Sequence, residues 1–229
     1  MRTKRYCSLI LAALMALALA GCGANTEKDK KEDGDMLIQP AQLSEEETAL
    51  TELLAVEMEN YRMYDFRLKE NSGVQSMRLA IYELMDGNWT PIAQDCQAFA
   101  DQEGRIALTF RKVTDGVTTA VQSASGSGSN SYTPTPEDDV SSMAFATSKL
   151  SSPAAIEFDR EIPLVLQVAT AKSEFTTYDV DYFEMPRELG KHGYEHVYAI
   201  TVTFSQKSAD QLSQPVTSVA PSADPSPAQ

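Results

Sequence analysis

Two histidines near the carboxyl end come closest to the spacing of a metal site. His192 and His196 lie four residues apart in the segment HGYEH. On a helix this spacing would place both imidazoles on one face, as a zinc site requires. Gly193 lies between them, however, and the following residues alternate like a strand, on which the two rings would be about 13 Å apart. We therefore predict that both histidines are solvated or lie at a sheet edge, and that the chain binds no metal ion or cofactor. The alternative is a metal site, which would require a turn that brings the two rings together.

A pair of acids just upstream has the spacing of a possible catalytic site. Asp179 and Asp181 lie two residues apart in TYDVDYFE. On a strand they would point to the same side about 6.5–7 Å apart, a separation similar to that of the carboxylate pairs of glycoside hydrolases. Calcium would also accept such a pair. An alternating acidic strand has the same arrangement on its solvent face, so we predict a solvated face and no catalytic residue.

Aromatic residues are the remaining candidates for a binding site. Trp89 follows a hairpin turn, and Tyr178, Tyr182 and Tyr198 lie in predicted strands. If exposed, such rings would stack on sugars, whereas in a β-rich core they would be buried. Trp89, Tyr178 and Tyr182 are therefore predicted binding residues. The chain has no glycine-rich phosphate loop, no G-x-S-x-G segment and no S-x-x-K segment, so it lacks the motifs of common nucleotide and serine-nucleophile chemistry.

One long polar segment interrupts the predicted strands. Residues Ser123 to Asp139, SASGSGSNSYTPTPEDD, are rich in Gly and Ser and then contain prolines. A loop of this length is uncommon in a compact domain and is usually either functional or disordered. A flexible insertion between the sheets is the simpler interpretation of this segment. In the alternative, Tyr132 and the Ser and Asn groups around it form the wall of a binding surface, and Tyr132 is the fourth predicted binding residue.

The amino-terminal segment has the composition of an export signal. Residues 1–21 begin with three cations and continue with the apolar stretch from Leu9 to Ala20, which is shorter than the roughly 20 residues that a spanning helix needs. The residues Leu19-Ala20-Gly21-Cys22 resemble the lipobox of bacterial lipoproteins. That resemblance implies that diacylglycerol is attached to the sulfur of Cys22 and that the chain is cut just before it. A single acyl chain binds membranes only marginally, whereas the two acyl chains of a diacylglyceryl group are enough for stable anchoring.

Export would change the charge and the thiol content of the chain. The formal net charge is −14, and the loss of residues 1–21, with three cations and no acid, gives −17. This charge argues against nucleic acid as a partner, because binding to nucleic acid depends on Lys and Arg. The lipid, not the surface charge, must then hold the protein at an anionic membrane. With Cys7 removed and Cys22 alkylated, Cys96 has no disulfide partner, and we predict a buried small residue rather than a nucleophile.

The composition divides the chain into four parts. Residues 1–21 are the predicted signal peptide, and residues 22–35 are the lipidated cysteine with a charged tether that has no large apolar side chain before Met36. Residues 36–207 have the size and hydrophobic content of one domain. Residues 208–229 are rich in Pro, Ser and Ala and are predicted to be disordered.

The domain is predicted to be mainly β with one amino-terminal helix. Ser44 and Glu47 have the spacing of a capping box, and Leu50, Leu53 and Leu54 form an apolar stripe that should lie against the rest of the domain. After the helix, alternating segments predict about eight strands. The segments are YDFRLK, SMRLAIYEL, the residues from Trp89 to Ala93, RIALTF, VTTAVQ, IPLVLQVATA with the short AIEF before it, FTTYDVDYF and EHVYAITVTFSQ. Because helices between strands are missing, an antiparallel β-sandwich is expected.

Beyond the lipobox, the domain is similar to small uncharacterised lipoproteins of Gram-positive bacteria, a resemblance that implies no activity or ligand. We predict a lipoprotein anchored on the outer side of the cell membrane, with the bilayer as one partner through the diacylglyceryl group on Cys22. Its body is predicted to be a non-enzymatic binding module for an envelope protein, peptide or glycan. The alternative is a hydrolase of envelope or environmental polymers that uses Asp179, Asp181, His192 or His196.

Overall fold

The computed structural model describes residues 36–53, 60–133, 140 and 142–214. The predicted signal peptide, Cys22, the tether and most of the predicted tail lie outside this part of the chain. The described residues contain eleven strands. These are β1 (Leu37–Pro40), β2 (Tyr61–Arg67), β3 (Ser76–Met85), β4 (Asn88–Ala98), β5 (Glu103–Thr109), β6 (Val117–Ser123), β7 (Gly126–Tyr132), β8 (Ala144–Lys149), β9 (Ala154–Ala155), β10 (Glu161–Thr170) and β11 (His196–Ser205).

The strands form two antiparallel sheets. The six-stranded sheet has the order β7-β6-β5-β2-β1-β9, and the five-stranded sheet has the order β4-β3-β11-β10-β8. The prediction of a mainly β, antiparallel fold is confirmed, but the predicted number of about eight strands is wrong. Strands β1, β7 and β8 were missed because each lies at or near a sheet edge and lacks a clear alternation of apolar and polar residues.

Apolar side chains from both sheets belong to one buried cluster. Phe66 of β2 and Phe204 of β11 have ring centroids 5.0 Å apart, and the hydroxyl of Tyr64 donates a 2.9 Å hydrogen bond to the carbonyl of Leu164 in β10. Strands β10 and β11 are buried along almost their whole length, which confirms the prediction that the apolar run IPLVLQVATA is covered on both faces. Together these contacts tie the two sheets to each other through their side chains.

In the part of the chain that the structure describes, three short α-helices accompany the sheets: α1 (Glu45–Leu53), α2 (Pro186–Gly190) and α3 (Ala209–Leu212). The α1 capping box is present, since Ser44 N donates to Glu47 Oε2 at 2.8 Å and Glu47 N donates to Ser44 Oγ at 3.2 Å. The prediction that the apolar stripe of this helix packs on the domain is wrong for the described residues, because Leu50 is 53% exposed and Leu53 is 81% exposed. An ion pair between Glu47 and Arg105 joins α1 to β5 instead.

The folded part continues beyond the predicted domain end at Lys207. Ser208 caps α3 with a capping box that includes Gln211, and Leu212 is buried. The start of the tail was therefore wrongly predicted to be disordered, because a capped helical turn can bury one apolar residue even within a polar, proline-rich composition. Within the described ranges, no helix has the length and apolar character needed to cross a bilayer.

Candidate functional site

A long connection between β10 and β11 carries several of the residues that the sequence singled out. Residues 171–195 leave the end of β10, form a 3-10 helix (Val180–Glu184) and then α2, and return to β11. Side chains at positions 180, 183 and 189 are buried, whereas most of the others are exposed or half-buried. A long connection that is held to a rigid sheet by a few buried side chains is a common place for binding residues.

Four rings of this connection contact one another, and we call them the aromatic cluster: Tyr178, Tyr182, His192 and Tyr194. The Tyr178 ring is at the centre, with centroid distances of 5.0 Å to Tyr182, 5.0 Å to His192 and 6.0 Å to Tyr194. His192 also stacks on Tyr194 at 5.8 Å with an interplanar angle of 20°. The three tyrosines are half-buried and His192 is exposed, so the cluster presents ring surface to solvent.

Hydrogen bonds and one cation fix the rings relative to each other. The hydroxyls of Tyr178 and Tyr194 are 3.1 Å apart, and the Tyr194 hydroxyl accepts a 3.4 Å hydrogen bond from the backbone N–H of Thr176. Lys172 donates to the carbonyl of His192 and its Nζ lies 5.3 Å from the Tyr194 ring centre. Burial and the neighbouring Tyr194 hydroxyl raise the pKa of Tyr178 to about 12. The phenol of Tyr178 is therefore a neutral hydrogen-bonding group at physiological pH.

Phe183 holds the cluster against the five-stranded sheet. Its ring is stacked 5.1 Å from the Trp89 ring at an angle of 22°, and it lies 5.8 Å from the ring of Tyr82 on β3. The indole N–H of Trp89 donates a 2.7 Å hydrogen bond to the carbonyl of Phe183. The structure thus places Trp89, a predicted binding residue, beneath the connection, where its ring and its single donor position the 3-10 helix.

An open cleft adjoins the aromatic cluster. It has a volume of about 490 Å³ and shares Tyr194 with the cluster. Its other walls come from the turn between β3 and β4 and from α2, including Asp86, Arg187 and Lys191. Lys191 is paired with Glu188 at 2.6 Å, whereas no ion pair is present for Arg187 within the described residues. The cleft therefore offers a guanidinium near the half-buried ring of Tyr194.

The two predicted acids do not lie on a strand, and the prediction of the strand FTTYDVDYF is wrong. Asp179 directly precedes the 3-10 helix and Asp181 lies in its first turn. Val180 and Phe183, three residues apart, are buried on one side of this helix. Residues three apart lie on the same side of a 3-10 helix because this helix has three residues per turn. Both acids are exposed to solvent, as predicted. They lie before and within a 3-10 helix, however, and not on the outer face of a strand.

The two histidines belong to different surroundings. His192 is part of the aromatic cluster, whereas His196 begins β11, stacks on Tyr198 and has its Nδ1 2.7 Å from Glu83 Oε1. Tyr198 is buried rather than available for stacking on a ligand. Within the described part of the chain, no three His, Cys, Asp or Glu residues are grouped closely enough to hold a metal ion.

Tyr132 lies at the end of an edge strand, which corrects the predicted loop from Ser123 to Asp139. Residues 126–132 pair with β6 along their whole length, and only the two residues Ala124 and Ser125 form the turn. Asp101 fixes this turn by accepting hydrogen bonds from the hydroxyl of Ser123 and from both the N–H and the hydroxyl of Ser125. Residues 134–139 lie outside the described part of the chain.

Cys96, the free thiol predicted to be buried, is only half-buried on β4. Its burial is nevertheless sufficient to raise the pKa of the thiol, although the nearby Arg78 acts in the opposite direction. A thiol with a raised pKa is a poor nucleophile at neutral pH. That Cys96 has no nucleophilic role stays a prediction, and the raised pKa of its thiol is a physical reason for it.

Comparison with known proteins adds no further assignment. No family model matches the chain, and no curated protein or solved structure matches it. The contacts of residues 171–195 are therefore the basis for assigning a function. Sequence reasoning found Tyr178 and Tyr182 but missed Tyr194 and the aromatic role of His192. The signal that would have found them is the high density of rings between residues 175 and 194.

Proposed function

We propose that this protein is a membrane-anchored extracytoplasmic lipoprotein whose β-sandwich body binds a glycan of the cell envelope through the aromatic cluster. The observation that carries the binding proposal is the contact of four half-buried or exposed rings around Tyr178, next to an open cleft. The β-sandwich is supported by the shared buried cluster of the two antiparallel sheets. The anchor is supported by the lipobox residues and by the apolar segment before them.

A glycan suits the chemistry of the cluster. One face of a sugar ring consists of C–H groups and packs on an aromatic ring as an apolar surface, while sugar hydroxyls need hydrogen-bond partners. Tyr178 and Tyr194 supply hydroxyls beside their rings, and Arg187 supplies donors for hydroxyl or carboxylate oxygens at the cleft. The strongly negative chain disfavours polyanionic partners as a class. These features favour a neutral or weakly charged oligosaccharide over a polyphosphate.

Binding is tested by titrating the protein with neutral oligosaccharides and peptidoglycan fragments in a calorimeter. Tyr182→Ala should weaken binding about tenfold or more, since one stacked aromatic contact contributes on the order of 1–2 kcal/mol. Tyr61→Ala is the matched control because Tyr61 is also half-buried but lies on β2, in the other sheet. Equal loss of binding in both variants, or no binding of any glycan by the unchanged protein, would contradict the proposal.

The anchor is tested separately with Cys22→Ser. The unchanged protein should incorporate labelled palmitate and sediment with membranes, because two acyl chains are enough for stable attachment. The variant should lose the label and appear in the soluble exported fraction. Retention of Cys22→Ser in the membrane fraction would show that another part of the chain provides the attachment.

A hydrolase acting on envelope polymers is the alternative function, and one contact favours it. Glu83 and His196 form a half-buried carboxylate–imidazole pair, the arrangement that orients a general base. Release of reducing ends from a glycan polymer, abolished by Glu83→Gln, would support this alternative. Binding without product release would favour the non-enzymatic module.

A further inference from the structure

A small cavity separate from the aromatic cluster is lined by residues of both sheets. Its volume is about 140 Å³. Strands β3, β4 and β11 contribute one wall, and β6 and β7 contribute the other. Its apolar lining includes Leu79, Ile81, Ala93, Val117 and Ile200.

The cavity lies where the edge strands of the two sheets face each other. A Cβ placed on Gly128 of β7 would lie 3.4 Å from Oε1 of Gln97 on β4, so the Gln97 side chain reaches across to β7 at that point. Further along the same strands, Asn130 and Tyr132 line the cavity, opposite Ala93.

One charged side chain lines this cavity. Asp95 is half-buried on β4 and is paired in register with Leu79 of β3, which is also in the lining. No hydrogen bond or ion pair of the Asp95 carboxylate is present within the described residues. A carboxylate that is partly removed from water without a cation loses solvation that nothing replaces. A ligand with a positive group at this position would compensate for that loss.

The size of the cavity limits the rest of the ligand. A cavity of roughly 150 Å³ lined by aliphatic side chains holds a molecule the size of benzene. The polar groups of Thr119 and Asn130 lie in the same lining, so a polar end of the ligand also has hydrogen-bond partners. One ring or one short branched alkyl chain, joined to a single cationic group, fits both the volume and the lining.

The geometry points to a second binding site, in which this cavity takes the apolar part of a small primary amine and Asp95 pairs with its ammonium group. The site is independent of the glycan proposal, because none of its lining residues belongs to the aromatic cluster or to its cleft. The excess of negative charge on the chain increases the local concentration of cations and therefore favours the same class of ligand. Benzylamine is the simplest probe with these properties.

Amide NMR spectra of the full-length protein, titrated with benzylamine, test the site. Saturable shifts are expected for Ala93, Asp95 and Thr119. Benzyl alcohol, which has the same ring without the charge, should bind about tenfold more weakly, and benzoate should bind more weakly still, because a charge-assisted contact is lost or replaced by repulsion. Absence of saturable shifts, or shifts confined to the aromatic cluster, would overturn the proposal.

Two substitutions separate the roles of charge and volume. Asp95→Asn should reduce benzylamine affinity to that of benzyl alcohol and leave benzyl alcohol unchanged, whereas the exposed control Asp210→Asn should change neither. Ala93→Ile should fill the cavity and remove the shifts caused by both ligands. If Asp95→Asn leaves the preference for the amine intact, the pairing is refuted. If it produces only self-association, Asp95 is a charge that protects an edge strand, and the proposal is equally refuted.

Discussion

Replacing Thr203 with valine is expected to stabilise the fold. Thr203 lies on β11, is 1% exposed, and its hydroxyl has no hydrogen-bond partner within the described residues. An unsatisfied buried polar group costs about 1–3 kcal/mol, because it loses its water without a replacement. Valine keeps the β-branched shape and the preference for a strand. The expected gain in the free energy of unfolding is therefore about 1 kcal/mol or slightly more.

Thr147→Val is the matched control, since the same exchange there should have the opposite sign. The Thr147 hydroxyl accepts a 2.8 Å hydrogen bond from Nε2 of Gln167, which also donates to the carbonyl of Arg111 at 3.2 Å. Gln167 is 0% exposed, so the amide proton that loses Thr147 has no water to replace it. The expected loss of stability is about 1–3 kcal/mol.

Urea denaturation followed by circular dichroism measures both changes. With a slope of about 2 kcal/mol per molar urea, the Thr203→Val midpoint should rise by roughly 0.5 M and the Thr147→Val midpoint should fall by at least as much. A lower midpoint for Thr203→Val would refute the reasoning. It would mean that the hydroxyl of Thr203 makes a hydrogen bond that contributes to stability.

Two further perturbations concern the connection and the pH dependence of the fold. Phe183→Ala should destabilise the protein by about 3–5 kcal/mol and increase proteolysis within residues 171–195, because it removes the ring that Trp89 holds; proteolysis confined to other segments would contradict this role. Hydrogen bonding from the Ser205 hydroxyl, together with the nearby Lys207, holds the pKa of Asp159 below its usual value. This carboxylate therefore stabilises the fold above the usual Asp pKa of about 4, and the contribution is lost as the pH falls through the lower pKa of the folded state. Asp159→Asn should flatten the decline of the urea midpoint below pH 4, and an unchanged decline would show that other carboxylates dominate.

Alternating residues made much of the β fold predictable. In β2 and β11 the apolar side chains of every second residue face the shared core, and this period is visible in the sequence. Strand β7 was not predictable in this way, because all its residues except Tyr132 are exposed and its pairing uses the backbone. A strand without a buried face leaves no hydrophobic pattern in the sequence.

The candidate site was only partly predictable for a similar reason. Tyr178 and Tyr182 lie in a segment that alternates for a few residues, and this pattern predicted a strand. The structure instead buries Val180 and Phe183, and a three-residue period over so few residues resembles a two-residue period. Tyr194 approaches Tyr178 only because the chain turns back through α2, which is a tertiary feature without a local signal.

The most direct test of the central claim is a titration of the protein with envelope oligosaccharides, with amide and aromatic NMR signals assigned. The account predicts saturable shifts centred on Tyr178, Tyr182, His192 and Tyr194, and about tenfold weaker binding for His192→Ala, whose exposed ring is not needed for the core. Saturable shifts located elsewhere on the sheets, or full affinity in His192→Ala and Tyr182→Ala, would contradict it.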